Sequence, residues 1–507
     1  MGRVENSIAM AQRPAFSRRS FIQGLAAGVV VGGVAVGAPL GILQRPEPVY
    51  WKPPEKWDME ADVVVVGFGV AGSAAAVEAA DKGASVIVLD KSSTPGGNGV
   101  MSGGNIGVIN SSIQKEKNLV SNPADWYKSV QALMKATHWE PPFPDRDMKY
   151  IENAGRDIGD WLAGLGVEYE SVAATTLRTK GGGAGLVSAL QKAAKNKGVR
   201  VETEMKAVQL VARPDTNMVL GVVAERAGQR VFIKTRRAVV LTTGGFAANK
   251  ELLKYYSPTG YHSVPITSAV SSGDGILMAL ALGAAIVNTY HISGFPAIAK
   301  INARYRYRGI SAIFVNEKGY RFCNEGDHFD ILNEEIFLQP GSHAWLVTDS
   351  EQVKKSTGKG ISTTFSDDLS QEVAQGIVIK ADTLEALADA IKVNKQNFIK
   401  TVTTWNEWAA KDKRDLEFGR TDSPAFTFSP IKTPPFYAVE LVPSVSETNG
   451  GVLADAESRV ISVTGKPIPR LYAAGDVAAE GLVSHLGESI FFGRVAGRNA
   501  ASEQPWT

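Results

Sequence analysis

The most chemically specific spacing in the chain belongs to glycines. Gly67, Gly69 and Gly72 lie in Gly67-Phe68-Gly69-Val70-Ala71-Gly72, directly after the apolar run Val63 to Val66. A continuous β-branched run of this kind reads as a strand buried on both faces of a parallel sheet. The first glycine permits a tight turn out of the strand, and the second lets bare backbone approach a pyrophosphate. The third allows close packing of a helix starting near Val70, whose N-terminal dipole then faces the phosphates. Gly83 ends that helix, Ser85 to Leu89 forms a second strand, and Asp90 stands where a carboxylate binds a ribose. Strand, glycines, helix, strand and acid in register predict a dinucleotide site.

Flavin and nicotinamide dinucleotides share this unit. The next segment, KSSTPGGNGVMSGGNIGV, sets Gly96, Gly97, Asn98, Gly103 and Gly104 immediately after the second strand. That glycine density suits backbone wrapped closely around a large cofactor. No second nucleotide fingerprint occurs, because GGGAG at 181 to 185 follows no clear strand.

These elements must be carried by a chain of 507 residues with a formal net charge of +2 and 44% hydrophobic content. The near-neutral balance predicts no nucleic-acid partner. Cys323 is the one cysteine, which excludes an internal disulfide, a CxxCH haem attachment and a cysteine-cluster metal site. No metal is expected. At the N-terminus, Arg3, Arg13, Arg18 and Arg19 precede an uncharged run from Leu25 to Leu40, and SRRSFIQG at 17 to 24 resembles a twin-arginine export signal. Residues 1–41 are expected to be that signal and 42–58 a proline-stiffened linker. The roughly 450 residues that follow exceed one ordinary core, so two lobes are expected.

From about Ala61 onward the chain resembles the flavoprotein family that includes fumarate reductase flavoprotein subunits, urocanate reductase and 3-ketosteroid dehydrogenases. The resemblance rests on KSSTPGGNGVMSGGNIGV and recurs in order at GGGAGLVSAL (181 to 190), AVVLTTGGFAANKELL (238 to 253) and SSGDGILMALALGA (271 to 284). It continues at VNEKGYRFCNE (315 to 325), PPFYAVEL (434 to 441), TNGGVLAD (448 to 455), and LYAAGDVAAEG with FFGRVAGRNAA (471 to 501). It implies an α/β fold: a Rossmann-like FAD-binding domain from 59–291 and 446–507, with an inserted α+β capping domain over 292–445. FAD is then the cofactor. Asp90 would meet the adenosine ribose, Asp274 would sit near the adenosine end, and Asp476 would hold the ribityl chain. Backbone at Ser489 and Ile490 would face the flavin, with Gly97, Asn98, Gly104 and Gly244 in the family's cofactor segments. A helix is expected from Asp382 to Lys411, its apolar stripe serving as core.

The substrate machinery departs from the family pattern. His291 in NTYHISG matches a substrate histidine and Arg308 matches an arginine of the proton relay. The relay glutamate position holds Tyr305, the proton-donating arginine falls on Phe329, a histidine becomes Glu447, and a second substrate arginine aligns with His485. Losing those cations beside a new carboxylate makes a di-acid such as fumarate a poor substrate. The 3-ketosteroid dehydrogenase pattern is not intact either. The shared logic remains: hydride exchange with a carbon next to a carbonyl, and proton exchange with its neighbour. Tyr305, His328 or His485 is expected to handle the proton, and Arg308 or His291 to stabilise charge at the carbonyl oxygen.

The expected function is therefore an exported, FAD-dependent oxidoreductase acting on a carbon–carbon bond beside a carbonyl, by ketone dehydrogenation or by reduction of an enone or unsaturated acid. The partners expected are a small carbonyl substrate and a separate cytochrome or quinol system. The alternative is a non-catalytic periplasmic flavin electron carrier.

Overall fold

The computed structural model describes residues 53–137, 139, 144–305, 310–356, 358–421, 427–480 and 484–506. The expected export signal, most of the linker, and Arg308 lie outside them.

The strand Met59–Val66 is buried from Ala61 onward. It pairs in parallel with Val86–Leu89 on one side and with Gln229–Leu241 on the other. Arg200–Glu202 and Pro467–Ala473 extend the parallel order outward. The eight-stranded sheet is completed by Arg459–Ile461 and by an antiparallel meander through Lys206–Ala212 and Val219–Arg226. The helix Val70–Asp81 covers one face, and Gly83 follows it at φ +78°. The last helix, His485–Ser502, packs on this helix through glycine. A Cβ on Gly493 would stand 2.5 Å from the Ala71 carbonyl oxygen, and one on Gly497 would stand 2.2 Å from that of Ala75. The C-terminal segment is thereby returned to the first strand's turn, which brings residues far apart in sequence to one site.

GGGAG begins the helix Gly182–Asn196. A Cβ on Gly183 would meet the Gly99 carbonyl oxygen at 2.0 Å and Ser102 Oγ at 2.1 Å. These glycines let the helix support the glycine-rich loop from behind.

A second, six-stranded antiparallel sheet is drawn from 297–442, centred on Phe436–Val442 and Ala344–Asp349. Its edge is the short pair Ala297–Ile298 and Ala303–Arg304. Two-residue pairings tie the two parts together: Ile292–Ser293 with Glu447–Thr448, and Ile286–Val287 with Gly451–Val452. The expected helix from Asp382 to Lys411 is two helices, Leu384–Ala390 and Lys395–Lys411. Lys392 at φ +57° breaks the run, and the Asn394 side chain caps the second helix by accepting from Asn397 N–H. The predicted stripe still lies in the core, with Leu387, Ile391, Phe398, Val402 and Trp405 buried together.

Beneath that core the buried charges are paired. Arg321 Nη2 lies 2.7 Å from Glu325 Oε2 and 2.8 Å from Asp415 Oδ2, and Arg420 Nη1 lies 3.2 Å from Glu325 Oε2. Both guanidiniums lie near the Trp405 ring, at 4.7 and 5.0 Å. Trp405→Ala removes this surface along with the Nε1 hydrogen bond to the Ser429 carbonyl. It is expected to cost about 3–5 kcal/mol of stability, read as a lowered urea midpoint; an unchanged midpoint contradicts the account.

Candidate active site

One cavity of about 580 Å³ runs from the first strand's turn to the edge of the second sheet. Its first part is built of backbone. Gly67 adopts φ +104°, and a Cβ there would lie 2.3 Å from the Thr242 carbonyl oxygen. A Cβ on Gly72 would lie 1.9 Å from the Gly67 carbonyl oxygen, so only glycine seats the helix this closely. Gly69 is different, because its Cβ would meet nothing nearer than the Gly96 carbonyl oxygen at 3.5 Å, and Gly69 faces the cavity. The helix behind it has no acidic residue in its first turn and no side-chain N-cap, which leaves its first amides to an outside acceptor.

Asp90 closes the far end of this turn. Its Oδ2 accepts from Phe68 N–H at 2.8 Å and its Oδ1 from Ser92 N–H at 2.8 Å, fixing the carboxylate on the cavity wall. Asp274 is there too, held by Lys91 at 2.6 Å. Gly97, Asn98, Gly244, Asp476 and Ser489 also line the cavity. The Asn98 side chain fastens the loop, accepting from Ser268 N–H at 2.7 Å and donating to the Ser446 carbonyl at 3.1 Å. Gly104 packs behind the loop, where a Cβ would meet Thr179 Oγ1 at 2.4 Å; the Ile490 side chain is buried in the core, which leaves its backbone, the part expected to face the flavin, next to Ser489 at the start of the last helix. The acids Asp90 and Asp274 at one end, an uncapped helix N-terminus, open glycine backbone and Asp476 further along the wall fit an extended FAD.

Beyond Asp476 the wall becomes side chains: Phe295, Arg304, His328, Phe329, Glu447 and His485. Arg304 ends the short edge strand, with its guanidinium 3.3 Å from the Phe295 ring centroid and 5.7 Å from that of Phe329. Phe295 and Phe329 lie 4.3 Å apart between centroids, and His328 stacks on Phe329 at 3.9 Å. His328 also caps the helix Phe329–Phe337, its Nδ1 accepting from Asp330 N–H at 3.4 Å. His485 is the first residue of the last helix, and its Nε2 lies 3.5 Å from Glu447 Oε1.

Burial raises the Glu447 carboxyl to about 7, with Arg304 opposing and Glu480 adding to the rise. Asp476 also rises to about 7 through burial and repulsion from Glu447, and Asp330 rises to about 6 through burial. Burial lowers His328 to about 4, helped by His485 and Arg304.

The expected catalytic residues are thus separated. His328 and His485 share the cavity wall. His291 is buried off it, with Nε2 3.1 Å from the Thr137 carbonyl oxygen and its ring edge-on to Trp139, and burial lowers it to about 4. Tyr305 is turned into the second core against Phe314, near Glu325 and Arg420, and burial drives its phenol well above its usual value. Alternation along a strand explains this: with Tyr305 facing the core, its neighbour Arg304 faces the cavity. The alternating charges of ARYRYRG were the available signal for Arg304.

A nucleotide-type parallel sheet with this cavity defines a dinucleotide-binding protein. Residues 62–485 match the family described as FAD binding domain, and the chain belongs to that family. It is similar to the probable fumarate reductase Ifc3 of Shewanella frigidimarina, at 30% identity over 87% of this chain and 74% of that protein. It is also similar to urocanate reductase of Eggerthella lenta, at 28% identity over 89% of this chain and 76% of that protein. Among solved structures, 3-ketosteroid-Δ4-(5α)-dehydrogenase of Rhodococcus jostii matches at 26% identity and a TM-score of 0.72, covering 90% of this chain and 100% of that one. The protein is an FAD-dependent oxidoreductase, an enzyme in place of the carrier alternative.

Two predictions follow from the wall. Gly69→Ala leaves the fold intact but lowers FAD affinity by tenfold or more, whereas Gly72→Ala damages the fold itself, at about 1–3 kcal/mol; FAD retention and thermal melts separate them. The second concerns pH. Glu447, Asp476 and Glu480 hold protons up to about 7 when folded, so across their titration the folded chain binds more protons than the unfolded one. The two lowered histidines act oppositely, but only below about 6.5. Stability of the cofactor-free protein therefore falls between about pH 6.5 and 8. A calorimetric midpoint that rises across this range contradicts the assignment.

Proposed function

We propose that the enzyme reduces a carbon–carbon double bond conjugated to a carbonyl, with an unsaturated monocarboxylate as the preferred substrate class. The observation that carries this reading is the convergence of Arg304, His485 and Glu447 on the cavity that also holds the FAD cradle. FAD, when bound and reduced, supplies the hydride. Arg304 pairs with the substrate carboxylate, and its stacking on Phe295 holds the guanidinium in place at the cavity wall. The Phe295 and Phe329 rings give an apolar bed to whatever the double bond carries. His485 donates a proton to the carbon beside the carbonyl, and Glu447, 3.5 Å from its Nε2, orients the ring. Hydride and proton together convert C=C to CH–CH, and His485 regains its proton from solvent.

A di-acid is disfavoured because Arg304 is the arginine that the described cavity wall offers, with Glu447 close by. The named activities of the relatives support reduction, and the ketosteroid enzyme supports a carbonyl-conjugated bond. A separate electron donor, a cytochrome or quinol system, restores the reduced cofactor. Export of the folded, FAD-loaded protein through the twin-arginine route follows from Arg18-Arg19 and the run after them. Among the described residues, no helix is long and apolar enough to cross a membrane.

Chemically reduced holoenzyme, mixed anaerobically with candidate compounds, is expected to be reoxidised by unsaturated monocarboxylates. Bleaching of the oxidised protein by saturated ketones, without reoxidation by any unsaturated acid, overturns the reading. Arg304→Met is expected to lower kcat/KM for carboxylates by about 10²-fold, a loss of roughly 3 kcal/mol, while enones lose less. His485→Gln lowers kcat by about 10²–10⁴-fold, and Tyr305→Phe leaves it near wild type.

A further inference from the structure

Behind the wall lies a second group of ionisable side chains that the reaction above does not use. Arg146 and Asp147 come from the helix Pro144–Ala154, Glu480 from the loop after Asp476, and Glu488 from the first turn of the last helix. Their exposures are 3%, 3%, 4% and 1%. One guanidinium thus faces three buried carboxyls, and it answers them poorly. Arg146 Nη1 donates to the Ala454 carbonyl at 3.2 Å, the group stacks 3.9 Å from the Phe492 ring centroid, and Nη2 comes no nearer than 3.7 Å to Glu480. Neither carboxyl oxygen of Glu488 has a hydrogen-bond partner, nor does Asp147 Oδ2.

Glu480 is wired to the cavity. Its Oε1 accepts from Gly475 N–H at 2.5 Å and its Oε2 from Ser489 Oγ at 3.2 Å, and Gly475 and Ser489 both line the cavity. Asp476 and Glu447 stand on the wall itself. These five carboxyls are gathered around Arg146, Arg304 and His485, three of them buried, and they cannot all be ionised together.

We propose that Glu480 is a proton acceptor coupled to reduction of the cofactor: as two electrons enter FAD from the donor, Glu480 takes a proton from solvent, and releases it when the electrons leave to substrate. The balance is simple. The Glu480 proton is one beyond the proton that reduction of FAD itself would consume: both electrons come from the external donor, both protons from solvent, and at Glu480 one O–H bond is made as the carboxylate becomes a carboxylic acid and broken again on reoxidation. Added negative charge in the cavity favours this uptake, because Gly475 and Ser489, which hold the carboxyl, line that cavity. Burial first, then Asp476, raises Glu480 to about 7 against the pull of Arg146, which keeps it partly ionised at neutral pH. Glu488, raised well above its usual range by burial with Asp147 and Glu480 adding, stays protonated and neutral; Asp147 is raised to about 6. The inference does not depend on which substrate is reduced.

The test is the midpoint potential of the FAD-loaded protein against pH, measured by anaerobic spectroelectrochemistry. One extra proton per two electrons steepens the slope by about 30 mV per pH unit. Wild type is expected to show a steeper slope near pH 7 than Glu480→Gln, while Glu488→Gln, which replaces an acid that stays neutral, keeps the wild-type slope. Equal slopes in wild type and Glu480→Gln overturn the proposal. An infrared difference spectrum of wild type provides a check that needs no variant: reduction should create a protonated-carboxyl band, and its absence also overturns the proposal.

Discussion

Everything in this molecule depends on the close approach of bare backbone at the turn after the first strand. At Gly67 and Gly72 a single Cβ would collide with main-chain oxygen, so the helix Val70–Asp81 can be seated against the strand only with glycine there. The same device is repeated where the last helix crosses the first, at Gly493 and Gly497. Because these contacts are made by backbone, the C-terminal helix is placed closely enough to deliver Ser489 and His485 to a cavity begun more than four hundred residues earlier. The short pairings at Ile292–Ser293 and Glu447–Thr448 then bring the second sheet's edge over it, with Arg304 on that edge.

Electrostatics divides the cavity into ends with different work. Beside the first strand's turn, Asp90 and Asp274 are satisfied by backbone amides and by Lys91. At the other end carboxyls outnumber cations. Glu447, Asp476 and Glu480 are all raised to about 7, chiefly by burial. Tuned acids of this kind in a cleft are the usual mark of proton chemistry. The charged groups in the core of the second sheet, Arg321, Glu325, Asp415 and Arg420, are by contrast paired at close range and serve the fold.

The parts of this arrangement that were legible in the sequence are those written in local pattern. The run Val63 to Val66, its glycines and Asp90 predict strand, turn, helix and acid, because each demands a particular backbone geometry within a few residues. The position of Arg304 was not legible, because alternation in ARYRYRG says that neighbours face opposite ways and not which way. Tyr305, matched to a catalytic position, lies in the core, and its neighbour Arg304 lines the cavity. The break at Lys392 was hidden by apolar spacing that continues in phase through it, so the two helices read as one. Glu480 and Glu488 carried no local signal, since their significance comes from Arg146, more than three hundred residues away in the chain.

The most direct test of the central claim is a crystal structure of the FAD-loaded protein with a saturated monocarboxylate product such as 3-phenylpropanoate. The account predicts the carboxylate on the Arg304 guanidinium, the aryl ring against Phe295 and Phe329, and the carbon beside the carboxylate within reach of the His485 imidazole. A carboxylate held elsewhere, with Arg304 turned away and His485 out of reach of that carbon, contradicts it.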